Sequence, residues 1–387
     1  MDLDYPGVSL LAAEKSMRKL ISSFATIAFL IVNMTAQTPT STSTPTMTVD
    51  EYEPRSTLVV PQHPLTHAKY PFIDVHTHYD ALMTRQKLDE LVTEFDQINL
   101  KVAVNLSGGT GSRLTAGVKN MKGAYPKRFL IFANLSYEGI DDPDYGQKAA
   151  ARLEQDVQNG AQGLKIFKQH GLEVKDGKGA RVPTNDPRFD PIWEKCAALH
   201  IPVLIHTGEP RQFFQPQDRF NERWLELKQF PERARPPDRY PSWEQIMSEQ
   251  HDVFARHPRT NFIAAHLDWL GGDLGRLGQL LDKYPNMSVD IAAVLAELGR
   301  QPRFAREWFI RYQVRIVFGK DITEAMSEYH VYFRVLETTD EYFDYYRKRH
   351  AFWKMYGLDL PDEVLKKVYY KNALRLIPGI DASLFPK

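Results

Sequence analysis

The sequence predicts an α/β fold, a (β/α)8 TIM barrel with an extended loop after its fifth strand. Three observations predict it. Eight short runs rich in Val, Ile and Phe recur from Phe72 onward, nearly continuous in apolar character, as strands buried on both faces are. The segments between them carry apolar residues at helical spacing with charges interspersed. The alternation spans about 310 residues, enough for eight βα units with insertions. A doubly wound open sheet is the alternative. It requires a glycine-rich phosphate loop opening a helix after an early strand, and SGGTGSR after the second run is not a GxGxxG leading into a convincing helix.

In order, the runs are FIDVH (72–76), KVAVNLS (101–107), RFLIFANLS (128–136), GLKIF (163–167), IPVLIH (201–206), NFIAAH (261–266), NMSVDIA (286–292) and RIVFG (315–319). LDELVTEFDQI, ARLEQDVQNGA, PIWEKCAALH and DLGRLGQLLDKY supply connecting helices. Composition is that of a globular chain: 387 residues, 43% hydrophobic and 25% charged. Its 49 basic side chains are balanced by 49 acidic ones, which argues against an electrostatic nucleic-acid binder. The single cysteine, Cys196, excludes an internal disulfide and a Cys-rich zinc site, and its context reads as a helix face.

Ahead of the barrel, Met17, Arg18 and Lys19 precede the apolar run LISSFATIAFLIVNMTA. A basic start followed by an apolar stretch of this length reads as an export signal over residues 1–36, with Met17 as its true start and cleavage near Ala36. A retained anchor is the alternative. Residues 37–69 open with QTPTSTSTPTMTVDEYEP, too polar to build a core, and read as a disordered linker. The barrel is expected over 70–387. The protein would be exported, periplasmic or secreted. Its expected partner is a small-molecule substrate, with no nucleic acid, no membrane beyond the export signal, and a homodimer left open.

The chemistry is carried by histidines. His76 and His78 stand one residue apart, so on a strand both face the same side, and two imidazoles on one face make half of a metal site. Of the twelve histidines, eight fall in predicted helices, loops or the N-terminal segment and read as solvated or capping groups. His76, His78, His206 and His266 end predicted strands, and Asp321 ends the eighth. In a barrel those ends converge on one mouth, where active sites are built. Imidazoles with one carboxylate suit Zn²⁺ or another divalent cation.

FIDVHTH, GLKIF, IPVLIHTGEP, FIAAHLDW, NMSVDIAA and RIVFGKDI together resemble the amidohydrolase superfamily, and within it the amidohydrolase-2 branch that includes aminocarboxymuconate semialdehyde decarboxylase-like enzymes. The likeness covers residues 70 to 378. It implies a metal held by His76, His78, His206 and Asp321, with Asp321 taking a proton from the attacking water. It implies for His266 either a general acid/base role or ligation of a second metal, and an orienting role is the remaining reading. Lys165, on the fourth strand, corresponds to a lysine that is carbamylated in binuclear members; it lines the site as a cation, with one metal per chain, or bridges two as a carbamate. One departure stands out. The family has a small residue before the strand-eight aspartate, and here it is Lys320, positioned to pair with that carboxylate or with a substrate acid.

The loop 207–243 reads as a lid, and Arg211 and Arg223 in it, with Arg300 after the seventh strand, are candidate clamps for a substrate carboxylate. The expected activity is metal-dependent hydrolysis of an ester, lactone or amide of a small carboxylated substrate. Nonoxidative decarboxylation and a catalytically silent binding barrel are the alternatives.

Overall fold

The computed structural model describes residues 46–48, 51–321 and 325–387, so the predicted export signal lies outside the described residues. Two compact units are distinguished, residues 1–54 and 55–387. The described residues of the first are exposed, and Thr48 donates to the Glu51 carboxylate. In the second, residues 55–69 have no helix or strand. This segment is nonetheless tied down: His63 donates its backbone N–H to Asp340, and Lys69 pairs with Asp362.

Residues 70–387 form the predicted TIM barrel. Its parallel strands are β1 (Phe72–Thr77), β2 (Leu100–Asn105), β3 (Phe129–Ile131), β4 (Ala133–Asn134), β5 (Leu164–Ile166), β6 (Val203–Ile205), β7 (Phe262–Ala264), β8 (Met287–Asp290) and β9 (Ile316–Val317). Nine strands carry eight runs because the third is broken at Phe132. Its first half pairs with β2 and its second with β5, so a single chain segment passes the hydrogen bonding across. Gly163 allows this, since a Cβ there would lie 2.4 Å from the Phe132 ring. At the other seam, Val75 N–H donates to Phe318 O at 3.0 Å and Asp321 N–H to His76 O at 2.7 Å. The eighth run therefore lies against the first, and both end at the same rim.

The helices form for ordinary reasons. Helix α1 (Arg85–Ile98) is capped by Thr84, whose side chain accepts from Lys87 N–H, and ends at Asn99 in the left-handed region. It buries Leu88, Leu91, Val92, Phe95 and Ile98, one face of a 3.6-residue period. Helix α2 (Gly111–Ala124) begins within the SGGTGSR stretch (107–113), which corrects the expectation that no convincing helix goes with it. It is no phosphate site, because the Asp156 carboxylate already accepts from Gly111 N–H and Thr110 Oγ1. Helices α3 (Tyr145–Gln158) and α4 (Asp190–Ala198) follow, and Cys196 is buried on α4 as expected. At the bottom of β1, Phe72 packs among Phe318, Tyr329, Phe333 and Tyr369, with ring centroids 4.9–5.9 Å away.

The loop 207–243 has a small core of its own, Phe213, Leu227 and Ala234, around the short helix α5 (Trp224–Gln229). It is fixed to the barrel rim through buried charge. Arg223 donates to Glu226 at 3.0 Å and to Glu297 at 2.7 Å, Arg233 pairs with Glu226, and His350 Nε2 lies 3.1 Å from Glu226. Burial disfavours the Glu226 carboxylate, but His350, Arg223 and Arg233 outweigh it and hold its pKa at about 2. A depressed carboxylate stabilises the fold above its unfolded pKa of about 4.3, and that contribution fades as pH falls toward 2. Glu226→Gln should therefore flatten the acid limb of stability between about pH 4.5 and 2 and remove on the order of 3 kcal/mol at neutral pH. Denaturant titrations across that window measure it.

Candidate metal centre

The strand ends bring the predicted donors to one place. His76, on β1, is wholly buried, and its Nδ1 lies 2.8 Å from Asp290 Oδ2. That bond assigns the proton to Nδ1 and leaves the Nε2 lone pair facing the barrel mouth. His78 places its Nδ1 2.9 Å from Ser107 Oγ. Asp321 Oδ1 lies 3.7 Å from His76 Nε2 and 3.6 Å from His78 Nε2. Around a tetrahedral cation with bonds of about 2.1 Å, ligand atoms stand about 3.4 Å apart, close to this spacing. Both imidazoles thus point inward, as the sequence reading requires. The backbone is built to permit it: a Cβ on Gly319 would meet the His76 Cβ at 2.9 Å.

Among the described residues, two groups have donor atoms within 4.8 Å of one another: His76, His78 and Asp321, and His76, His266 and Asp290. His206 joins neither. It reaches the cluster through His266, whose Nε2 lies 3.3 Å from His206 Nδ1. Here the hydrogen bonds fix both tautomers. His266 Nδ1 lies 2.7 Å from Ala292 O, a pure acceptor, so Nδ1 carries the proton and Nε2 is a lone pair. His206 Nδ1 must then donate to it, and the His206 lone pair is on Nε2. That atom is buried with no hydrogen-bond partner. Buried polar atoms are rarely left unpaired, and an orphaned imidazole lone pair joined through His266 to the cluster of His76, His78 and Asp321 fits a divalent cation. The residues present therefore suit the metal that the sequence reading implies.

Electrostatics keep these groups in ligand form. Burial lowers the His76 and His206 pKa values well below the ordinary 6.5 and that of His78 to about 4, with Lys165 adding to the effect on all three. Burial opposes charge on Asp321 too, but His76, His266, His78 and Lys165 overcome it and hold its pKa at about 2. Asp321 keeps 22% of its side chain exposed and His78 16%, so the centre opens to solvent on their side. Lys165 is fully buried, its Nζ 3.5 Å from His76 Nε2, and burial draws its pKa down to about 8.

The sixth strand ends in an unusual way. His266, Leu267, Asp268 and Trp269 all have positive φ, between 53° and 58°, forming one turn of left-handed helix without a glycine. Each such residue costs roughly 1–2 kcal/mol. The turn stacks Trp269 on His266, centroids 4.4 Å apart, with Trp269 also 5.4 Å from the His206 ring.

Other sequence expectations fared differently. The Lys320 ammonium does not meet the Asp321 carboxylate: it turns to Glu328 and lies 4.6 Å from the Tyr346 ring centroid. Arg211, Arg223 and Arg300 line one cleft of about 460 Å³ with Trp269 in its wall. Arg223 is bound to Glu226 and Glu297 and Arg300 to both oxygens of Glu222, while Arg211 is exposed beside Trp243. Not all the remaining histidines are solvated: His170, His251 and His257 are buried and bonded to Thr184 O, Asp268 and Asp190, and buried His350 lies at ion-pair distance from Glu226.

Sequence reading missed Asp290, Asp74, Gln250 and Asp268. Asp290 Oδ1 accepts from His266 N–H and Ala292 N–H while its other oxygen takes His76. Its placement at the C-terminal end of the seventh run was the available signal. Asp74 joins the first and eighth runs, accepting from His76 N–H, Lys320 N–H and Tyr329 OH, and burial raises its pKa to about 7 against those bonds.

The amidohydrolase-2 family profile, described as Amidohydrolase, matches residues 73–379. No curated protein matches the chain. Solved structures similar to it include an amidohydrolase II (16% identity, TM-score 0.49, covering 79% of this chain and 99% of that one). The 4-oxalomesaconate hydratase of Rhodopseudomonas palustris is similar at 15% identity and TM-score 0.48 over 81% of this chain and 97% of that one. A dihydroxybenzoic acid decarboxylase from Polaromonas sp. JS666, with bound manganese and 2-nitroresorcinol, is similar at 14% identity and TM-score 0.48 over 81% and 99%.

Asp290→Ala should free His76 Nδ1 and lower metal affinity about 10–100-fold, the usual worth of an outer carboxylate partner. Competition with a chelating indicator checks it; unchanged affinity would mean that His76 needs no such partner.

Proposed function

Because the chain belongs to the amidohydrolase-2 family, we propose that it is a metal-dependent hydrolase acting on an ester, lactone or amide of a small carboxylated substrate. The observation that carries this reading is the set of imidazole lone pairs, on His76 Nε2 and His206 Nε2 by tautomer and on His78, beside a carboxylate held ionised. His76, His78, His206 and Asp321 would hold one divalent cation, Zn²⁺ being suited to three nitrogens and one oxygen. Such a cation supplies the Lewis acidity that brings a water's pKa toward neutrality.

The chain's own groups do the rest. Asp321 accepts the proton of the attacking water and, with His266, returns it to the departing oxygen or nitrogen. Asp290 fixes His76 and the backbone of His266 while these charges move. Lys165 lines the site as a cation, which favours one metal over two. Arg211, Arg223 and Arg300 give the adjoining cleft its positive charge; of the three, Arg211 has the least committed guanidinium, so it is the favoured partner of a substrate carboxylate. The same donor set could serve a decarboxylase, in which a proton is delivered to the carbon that loses CO2. Export, supported by the basic and apolar composition of residues 17–36, belongs to the same proposal. The mature chain then starts near Gln37, and N-terminal sequencing of secreted protein is the check.

Metal analysis followed by a panel of lactones, esters, amides and aromatic acids, with CO2 detection, tests the reaction. Solvent ¹⁸O appearing in a product acid supports hydrolysis; CO2 release without it supports the decarboxylase. Two metals per chain with a carbamylated Lys165 would overturn the single-metal reading. His206→Ala should abolish metal retention. His266→Ala should leave about one metal per chain while lowering kcat about 10²–10⁴-fold.

A further inference from the structure

We propose that Asp268 is a positioning residue: it holds the left-handed turn after the sixth strand, and through it the ring orientation and tautomers of His266 and His206. The inference rests on the reading of His206 as a cation ligand with His266 as its partner.

The argument starts from an unfavourable backbone. Four successive residues with side chains stand in the left-handed region, where L-residues are crowded. Such a turn persists only where its surroundings over-determine it. Asp268 supplies that determination. Its side chain is buried, with Gln250 Nε2 2.5 Å from Oδ1 and His251 Nε2 2.6 Å from Oδ2, both from helix α6 (Trp243–Arg256). An ionised carboxylate only accepts, so both partners donate to it. Gln250 in turn takes the hydroxyl of Thr207 on its Oε1 at 2.6 Å. Thr207 directly follows His206, so one amide side chain couples the ends of the fifth and sixth runs. Trp269 repeats the link, donating its indole N–H to Thr207 O at 3.1 Å.

The geometry of the turn explains its use. In a helix of three residues per turn, positions i and i+3 eclipse, and here they are His266 and Trp269. The stacked indole covers one face of the imidazole and so helps hold the ring plane in which Nε2 meets His206. A right-handed continuation would carry position 269 away and release that constraint. Without Asp268 the turn loses two of the bonds that oppose relaxation, and the proton order of the chain Ala292 O–His266–His206 is loosened.

The test uses the full chain with ¹⁵N-labelled histidine, first metal-free and then with Co²⁺. In the metal-free wild type, His206 and His266 should both appear as Nδ1–H tautomers. Asp268→Ala should turn both into mixed tautomers and weaken Co²⁺ binding about 10–100-fold, changing its visible absorption bands. Asp268→Asn should restore most of both, since its oxygen still accepts from Gln250 and neutral His251 can switch tautomer to accept from the new amide. Should Asp268→Ala fail to fold, Gln250→Leu, which removes one of the two bonds to Asp268 and the link to Thr207 but leaves His251 on Asp268, should move both readouts the same way by a smaller amount. Unchanged tautomers in Asp268→Ala, or in Gln250→Leu if that variant is used, overturn the inference whether or not Co²⁺ binds. Tautomers that respond in a wild type that binds no Co²⁺ sustain the inference as a positioning role and overturn the reading of the centre as a metal site.

Discussion

The buried carboxylate of Asp290 is the constraint on which the site depends. One oxygen receives the backbone N–H groups of His266 and Ala292, and the other receives His76 Nδ1–H. Three barrel runs are thereby joined at a single side chain. A buried carboxylate without donors would be driven to its neutral form, and even here burial raises its pKa against the pull of His266 and Lys165. The bonds offset that penalty and produce two results together. They select the His76 tautomer that leaves Nε2 bare, and they hold the start of the left-handed turn against the end of the seventh run.

Proton order spreads outward from such fixed acceptors. Ala292 O can only accept, so it determines the tautomer of His266, which determines that of His206. The final atom of this chain, His206 Nε2, has no hydrogen-bond partner among the described residues. The imidazoles of His76, His78 and His206, kept neutral by desolvation, are poor as cations and good as ligands. Asp321 resists neutralisation because His76, His266, His78 and Lys165 face it. The centre is therefore organised to receive positive charge before any arrives, which lowers the reorganisation that binding requires.

Charge at the rim serves a different purpose. Arg223, Glu226, Glu297 and His350 are buried together and pair with one another, fastening the 207–243 loop to the segments after the last two strands. Arg300 is likewise engaged by both oxygens of Glu222 and lies 4.1 Å from the Trp353 ring centroid. An arginine already forked onto a carboxylate cannot take a second one without breaking the first pair. Arg211, exposed and 3.8 Å from Glu244, is bound far less tightly.

The sequence by itself determined the eight-run barrel, because strands buried on both faces must be apolar and helices must show a 3.6-residue period. It also determined His76, His78, His206, His266 and Asp321 as the candidate donors, because parallel strands deliver their C-terminal residues to one rim. Only the tertiary structure decided how these residues are used. Lys320 is a neighbour of Asp321 in sequence yet turns to Glu328, and His206 meets the cluster by way of His266. Asp290 and Asp268 looked like ordinary strand-end and loop acids until their partners came from His76, Gln250 and His251, distant in sequence. Periodicity reports which face of an element is buried. Tautomers, ion-pair partners and a left-handed turn depend on what that face meets, and those contacts exist only once the barrel has closed.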